Sequence, residues 1–314
     1  MKRAVIFIMV LAILTGCSVT YTKSGSNEDV VIPKPGFSKS ITDWSVDLFK
    51  EGFEEENYLV SPLSVSIALL MTANGADGET LSQMVDTLGL DIDDANKYIS
   101  SYMKAIENKD INIANSIWIN DADIREDFID KNTKHYKAEI NRDVFDDKTA
   151  DKINNWVKEN TNEMIESIVD EVSPESIMYL INAIAFESEW DEEYDDHQIF
   201  NDNFTNYKGN RKVVEMMKSE EGKYLDDGKA TGFIKPYKDK EYVDIKEYIE
   251  NMTGDSLHDL ISLYEEVDVN AYIPKFSYDY GLDMNDILIN WGMEDVFDRN
   301  KADFSKMTDE TVYI

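Results

Sequence analysis

The sequence predicts an α+β protein. Residues Ile111 to Ile119 alternate apolar with polar or small side chains, which is typical of a half-buried strand. Residues Met178 to Phe186 are apolar except for Asn182, a pattern typical of a central strand buried on both faces. Helical patterns lie before, between and after these two strands without regular alternation. This arrangement favours an α+β fold over a doubly wound α/β fold.

The N-terminal half is predicted to be mainly helical. Apolar residues at helical spacing predict a helix from Phe37 to Gly52. The short apolar run from Tyr58 to Val60 is predicted to be a buried strand. Ser61 then caps a helix that has Pro62 at its first position. Further helices are predicted from there to about residue 110.

The apolar pattern alternates between helical and strand periodicity in the region between the two long strands and again after the second. We predict a helix at Phe128 to Tyr136, a strand at Ala138 to Phe145 and a helix at Lys148 to Ile168. Shorter elements follow Trp190. They are strands at Lys212 to Met217 and Val267 to Ile273, and helices at Asp255 to Tyr264 and Asp286 to Trp291.

Composition limits the classes of function. With 314 residues, 42% of them hydrophobic, the chain can form one large domain or two small ones. Acidic residues outnumber basic ones 64 to 31, and this charge repels the phosphates of nucleic acids. We therefore expect no nucleic-acid partner. The acidic residues are spread through amphipathic segments, which indicates a solvated surface, with a basic partner or bound cations as the alternative.

The N-terminus predicts export. Lys2 and Arg3 precede an apolar run from Ala4 to Leu14, which is too short to span a bilayer but suits the core of a signal peptide. The residues before Cys17 resemble the bacterial lipobox, which implies cleavage after residue 16 and lipid attachment at Cys17. An ordinary secretory signal with an incidental cysteine is the alternative.

The predicted export signal defines two N-terminal segments of the chain and indicates where the mature protein is located. Residues 1–16 are predicted to be a lipoprotein signal peptide and residues 17–36 a flexible tether, because the tether is rich in Ser, Thr, Gly, Asn and Pro. We expect the mature protein to be extracellular or anchored on the outer face of the cytoplasmic membrane through lipidated Cys17. Cys17 is the only cysteine in the chain, which excludes an intramolecular disulfide.

Several segments, in their order along the chain, resemble the serpin family. The resemblance begins with Asn57 to Thr80, in which Ser61-Pro62 opens an apolar helix that is followed by Asn74-Gly75. It continues to the last residue, so residues 37–314 are predicted to be a serpin domain. The later matching segments are Ile111 to Ile119, Ile153 to Val157 with Thr161 and Ile165, Leu180 to Phe186 with Trp190, Val214 to Met217, Ile273 to Phe276 and Ala302 to Ser305.

The resemblance implies both a fold and an activity. It implies about eight or nine helices around a large central β-sheet, and inhibition of serine or cysteine proteases by conformational trapping. In that scheme an extracellular protease cleaves an exposed reactive loop, and the loop inserts into the sheet as a new strand before the acyl-enzyme can hydrolyse. The family is not catalytic, and we expect no cofactor and no metal.

Four positions would take part in that conformational change by resemblance. Ser61, Ser64 and Asn182 would lie where the central strands part, and Trp190 where insertion begins. Hydroxyl and amide groups suit such a place because they can exchange hydrogen-bond partners, and an unpaired buried polar group costs about 1–3 kcal/mol. The alternative is that Ser61 is only a helix cap and Asn182 a satisfied polar residue of the core.

The chain also departs from the family pattern. It ends at Ile314, before the reactive loop and the last core strands, so the reactive bond is absent and the fold is expected to be incomplete at the C-terminus. Part of an apolar core strand is missing after Tyr237. Glu187-Ser188 and Glu163-Met164 stand where the family usually has Lys and Gly. We therefore expect the chain not to inhibit a protease by itself, and a non-inhibitory, surface-anchored binding or structural relative is the alternative.

Two other classes of function have less support in the sequence. An enzyme is disfavoured because His135, His197 and His258 are isolated and the chain has neither a nucleophile elbow nor a glycine-rich phosphate loop. Calcium binding is suggested by Asp91 to Asp94 and Asp121 to Asp127. Neither segment has the glycine and glutamate that an EF-hand loop requires at its sixth and twelfth positions.

Overall fold

The computed structural model describes residues 35–52, 57–106, 110–206, 208–226, 231–238, 264–278 and 280–314. The chain divides into two compact units, Met1–Phe186 with Asp279–Ile314 and, separately, Glu187–Tyr278. Seven α-helices and seven β-strands lie in the described residues, so the predicted α+β class is confirmed. The predicted signal peptide, nearly all of the predicted tether and residues 255–263 of one predicted helix lie outside them.

The first unit contains all seven helices. The second of them, α2, is largely buried, because its residues are apolar or small on every face. The other helices before the second long strand turn only one face towards the apolar core. The bounds are α1 Pro35–Glu51, α2 Pro62–Ala73, α3 Gly78–Leu88, α4 Ile92–Ile106, α5 Glu126–Tyr136, α6 Asp147–Asn160 and α7 Asn285–Asn290.

The first unit also contains a three-stranded sheet in the order β2-β1-β3. Its strands are β1 Ile111–Ile119, β2 Glu139–Arg142 and β3 Met178–Phe186. Strand β1 pairs parallel with β2 and antiparallel with β3. Among the described strands, therefore, β1 is central and β3 lies at an edge, whereas the apolar run had predicted a central position for β3. Helices α2 and α6 pack against β3, which accounts for its apolar sequence.

Three predicted elements of the first unit are wrong in their extent. The strand predicted at Ala138 to Phe145 covers only Glu139–Arg142. Residues 57–60 form no strand, although Val60 is buried in the core. Helix α6 ends at Asn160 instead of Ile168, because Asn162 (φ 49°) and Glu163 (φ 62°) adopt left-handed backbone conformations that cannot continue a helix. Ile165, beyond this break, is still buried in the apolar cluster around α6.

The second unit is built on a long central strand. Its strands are β4 Ile199–Thr205, β5 Arg211–Asp226, β6 Thr231–Phe233 and β7 Glu265–Pro274. Strand β5 pairs antiparallel with the other three, and its register with β7 shifts between Glu221 and Lys223. The two short strands predicted in this region fall within β5 and β7.

The described helices do not include a membrane span. None of them is both long enough and apolar enough to cross a bilayer.

Candidate functional site

Three of the four predicted switch residues meet in the first unit. Ser61 caps α2, and its Oγ accepts a hydrogen bond from the backbone N–H of Ser64 at 3.2 Å. One turn into the helix, Ser64 Oγ donates to Oδ1 of Asn182 on β3. The first turn of α2 is therefore joined by a side-chain hydrogen bond to the middle of an edge strand 118 residues later in the sequence.

Asn115 on β1 extends this arrangement. It lies directly opposite Asn182 in the antiparallel pair, and Asn182 Nδ2 donates to its Oδ1 at 2.8 Å. Asn115 Nδ2 in turn donates to the backbone carbonyl of Tyr136 at 2.7 Å. We refer to Ser61, Ser64, Asn182 and Asn115 as the polar column. Asn115 was not predicted from the sequence, because its partner is set by the register of β1 against β3.

The polar column contains no charged group. Ser61, Ser64 and Asn115 are 5%, 1% and 2% exposed, and each side chain of the column has a hydrogen-bond partner. Burial of these groups is tolerable because each hydrogen bond lost to water is replaced within the protein. Removing one member leaves its neighbour unpaired, which costs about 1–3 kcal/mol. The arrangement can therefore exchange partners, but it cannot simply lose one.

A second set of buried polar side chains adjoins the column at Tyr136. The Tyr136 hydroxyl donates to Oδ1 of Asn96 at 2.6 Å, and burial raises the pKa of this phenol. Asn96 Nδ2 donates to Oδ1 of Asn74 at 2.8 Å, and Asn74 Nδ2 donates to Asn132 at 3.1 Å. Tyr136 thus contacts Asn115 of the column through its carbonyl and Asn96 through its hydroxyl.

Trp190, the fourth predicted switch residue, belongs to the second unit. Its ring stacks on Tyr237 with the centroids 4.6 Å apart and the planes 8° apart. The two residues also form a backbone bridge. Asp191 N–H donates to the Pro236 carbonyl at 3.0 Å, and Lys238 N–H donates to the Glu189 carbonyl at 2.8 Å.

A buried ion pair lies beside Trp190. Lys235 Nζ is 2.7 Å from Oε1 of Glu221, and the two side chains are only 5% and 6% exposed. The same ammonium is 4.8 Å from the centre of the Tyr194 ring and 5.7 Å from that of Trp190, both within cation–π range. We refer to Trp190, Tyr194, Glu221, Lys235 and Tyr237 as the aromatic clamp.

A second lysine close to the clamp is paired at the surface. Lys238 Nζ lies 2.9 Å from Glu189 and 3.4 Å from Glu193, and its side chain is 47% exposed. The hydrogen bond to Glu189 and its negative charge raise the pKa of Lys238. Burial likewise raises the pKa of the Tyr237 phenol. The sequence analysis singled out neither lysine, because the partners of both lie on distant segments.

Comparison with known proteins identifies the family. A family model described as Serpin (serine protease inhibitor) matches residues 39–314. The chain belongs to the serpin family. It is similar to tengpin, a thermophilic serpin, in its latent state, with 41% identity, a TM-score of 0.80, and coverage of 91% of this chain and 83% of that one. The native state of tengpin gives a TM-score of 0.78. The predicted family and the serpin-like fold are thus confirmed.

More distant serpins show how much of a relative this chain spans. An uncharacterized serpin-like protein of Methanosarcina acetivorans is 28% identical over 82% of this chain but 66% of its own length. A second such protein of that organism is 27% identical, and 65% of its length is covered. Human Serpin B3 is 25% identical, with 80% covered. The chain therefore spans somewhat less than two thirds of the two archaeal serpins.

Serpin membership bears on the two other classes of function. Serpins are generally protease inhibitors and not catalysts, so the enzyme hypothesis has no support from the family. His197 is an exposed residue 3.9 Å from Asp195, and burial lowers the pKa of His135.

The first acidic segment suggested for calcium forms local hydrogen bonds. The carboxylate of Asp91 accepts hydrogen bonds from the N–H groups of Asp93 and Asp94 at the start of α4. Within the described ranges no three His, Cys, Asp or Glu residues are grouped as metal ligands.

Proposed function

We propose that this serpin inhibits serine or cysteine proteases by opening its sheet beside β3, and that the polar column is the site at which opening begins. The observation that supports the proposal is the hydrogen bond from Ser64 to Asn182, which joins α2 to an edge strand of the described sheet. A strand that inserts next to β3 would pair alongside Asn182, whose side chain accepts this bond. The hydroxyl of Ser64 and the amide of Asn182 can then exchange each other for polar groups of the incoming strand as hydrogen-bond partners.

The neutrality of the polar column supports the same proposal. Asn115, Asn182 and Ser64 have donors and acceptors that are satisfied one after another, so a shift of α2 relative to β3 can be followed by new hydrogen bonds. A charged pair would impose a much larger cost on the same movement, because separation would leave a charge buried.

Location and partner form the second part of the proposal. We propose that the protein is exported and anchored through lipidated Cys17, and that its partner is an extracellular protease. The motif before Cys17 supports the anchor, and the surplus of 64 acidic over 31 basic residues suits a soluble extracellular surface. Replacement Cys17→Ala should abolish incorporation of labelled fatty acid into the protein, which is then released to the medium or kept as uncleaved precursor. Labelling that survives the replacement would contradict the anchor.

The inhibitory mechanism is tested by formation of a covalent complex. The protein purified from its source, with its mass determined, is incubated with a panel of serine and cysteine proteases beside the recombinant 314-residue chain. We expect the source protein to give a detergent-resistant complex with at least one protease. Comparison of the two samples measures whether the 314-residue chain is sufficient to form the complex.

A protease whose active site has been blocked beforehand is the matched control, because it cannot form the acyl bond. A complex that persists with the blocked protease would be non-covalent association. If the source protein forms no complex with any active protease, the inhibitory proposal fails. The non-inhibitory binding or structural role then becomes the better interpretation.

A further inference from the structure

We propose that the ion pair between Lys235 and Glu221 is a positioning element that holds Trp190 and the segment 187–194 in place. The inference rests on the proposed function only in assigning Trp190 to the start of strand insertion. The positioning itself can be measured without a protease.

The contacts of Lys235 converge on this segment. Its ammonium pairs with Glu221 on β5 and lies under the rings of Trp190 and Tyr194. The Tyr194 hydroxyl also lies 3.3 Å from Ser219 Oγ, also on β5. Lys235 therefore links the central strand of the second unit to both aromatic residues of the segment.

The backbone around Lys235 is tied to the same segment. Residues 236 and 238 exchange hydrogen bonds with residues 191 and 189, and Tyr237 stacks on Trp190. The segment can leave only if these bonds break. Departure of its two rings would also remove the cation–π contacts with Lys235, so these contacts favour the position in which Trp190 is stacked.

Lys238 provides a matched comparison within three residues. Lys238 is likewise paired with glutamates, in its case Glu189 and Glu193 of the segment itself. Its side chain is 47% exposed, whereas that of Lys235 is 5% exposed. Exposed ion pairs contribute little because water screens them. If the buried pair positions Trp190, loss of Lys235 must loosen the segment far more than loss of Lys238.

The test is hydrogen exchange on the full 314-residue chain and its variants. The readouts are the amides of Asp191 and Lys238, which bond across the two segments, and the amides of β4, which pair elsewhere in the same unit. For Lys235→Met we expect the first two amides to exchange about tenfold faster or more, with β4 unchanged within about twofold. Lys238→Met should leave the Asp191 amide within about twofold.

Two more variants separate positioning from general support of the fold. Lys235→Arg keeps the charge and should restore slow exchange of the Asp191 amide to within about threefold of the parent. If Lys235→Met does not fold, Tyr194→Leu replaces it in the test. This substitution uncovers the ammonium without removing either charge, and we expect it to accelerate exchange of the Asp191 and Lys238 amides. The proposal is overturned if β4 accelerates as much as Asp191, or if Lys238→Met matches Lys235→Met. These outcomes are independent of whether the source protein traps a protease.

Discussion

The two units bury polar groups in chemically different ways. In the first, the hydroxyl of Ser64 and the amides of Asn182 and Asn115 form a neutral chain of hydrogen bonds. In the second, the charges of Lys235 and Glu221 are covered by aromatic rings. Neutral partners can be exchanged one at a time, whereas an ion pair resists the loss of either member. The difference fits a site that rearranges in one unit and a site that holds a segment in the other.

The units also differ in how far apolar burial supports them. Six of the ten exposed large apolar side chains in the described residues belong to the second unit. Among the described residues of the second unit, the buried apolar ones are Met216 and Ala271. The first unit, in contrast, contains two extended apolar clusters. We therefore expect the aromatic clamp to matter more to its unit than the polar column does to the other. The six exposed residues are Phe200, Phe204, Val213, Val267, Tyr272 and Phe276.

The largest expected effect is loss of the buried carboxylate. Glu221→Gln preserves the shape of the side chain but leaves the ammonium of Lys235 buried without a counter-charge, and we expect local opening of the segment 187–194 to become easier by about 3–5 kcal/mol. Hydrogen exchange of the Asp191 and Lys238 amides measures it, with the β4 amides as the reference in the same unit. Glu189→Gln, which affects an exposed pair, is the control and should cost less than about 1 kcal/mol. Equal losses in the two variants would remove the distinction between the two lysines.

A smaller effect is expected in the polar column. Asn182→Ala leaves Ser64 and Asn115 each without one partner, and we expect a loss of about 1–3 kcal/mol in the free energy of unfolding of the first unit. Urea denaturation followed by circular dichroism measures it. Ser61→Ala, which removes only the helix cap, should cost about 1 kcal/mol. A loss from Asn182→Ala as large as that from Glu221→Gln would show that the neutral column is no easier to rearrange than the charged pair.

The sequence predicted some elements to the residue and missed others for physical reasons. The bounds of β1 and β3 were correct because alternation and an unbroken apolar run are direct signs of strands. Family resemblance predicted that Ser64 and Asn182 lie in the same region, but it did not predict the hydrogen bond between them. Neither Asn115 nor Lys235 was found, because their roles depend on strand register and on packing between segments, which periodicity in one segment does not show.

The length of α6 was mispredicted because apolar spacing continues past a break in the backbone. Glu163 has a φ of 62°, a conformation that favours glycine, and the family usually has glycine in this dipeptide. We expect Glu163→Gly to stabilise the first unit by about 1 kcal/mol, as relief of left-handed strain exceeds the entropy lost from the unfolded chain.

Thermal unfolding of the Glu163→Gly variant measures this effect, and Asn162→Gly is the matched control. Asparagine tolerates the left-handed conformation better than glutamate does, so the control should change the stability less. The strain lies in the loop after α6, and residues 162 and 163 take no part in the polar column. The effects of Glu163→Gly and Asn182→Ala should therefore add to within about 0.5 kcal/mol. A larger coupling would mean that the loop after α6 and the column rearrange together, and the site proposed to open would then extend beyond the sheet.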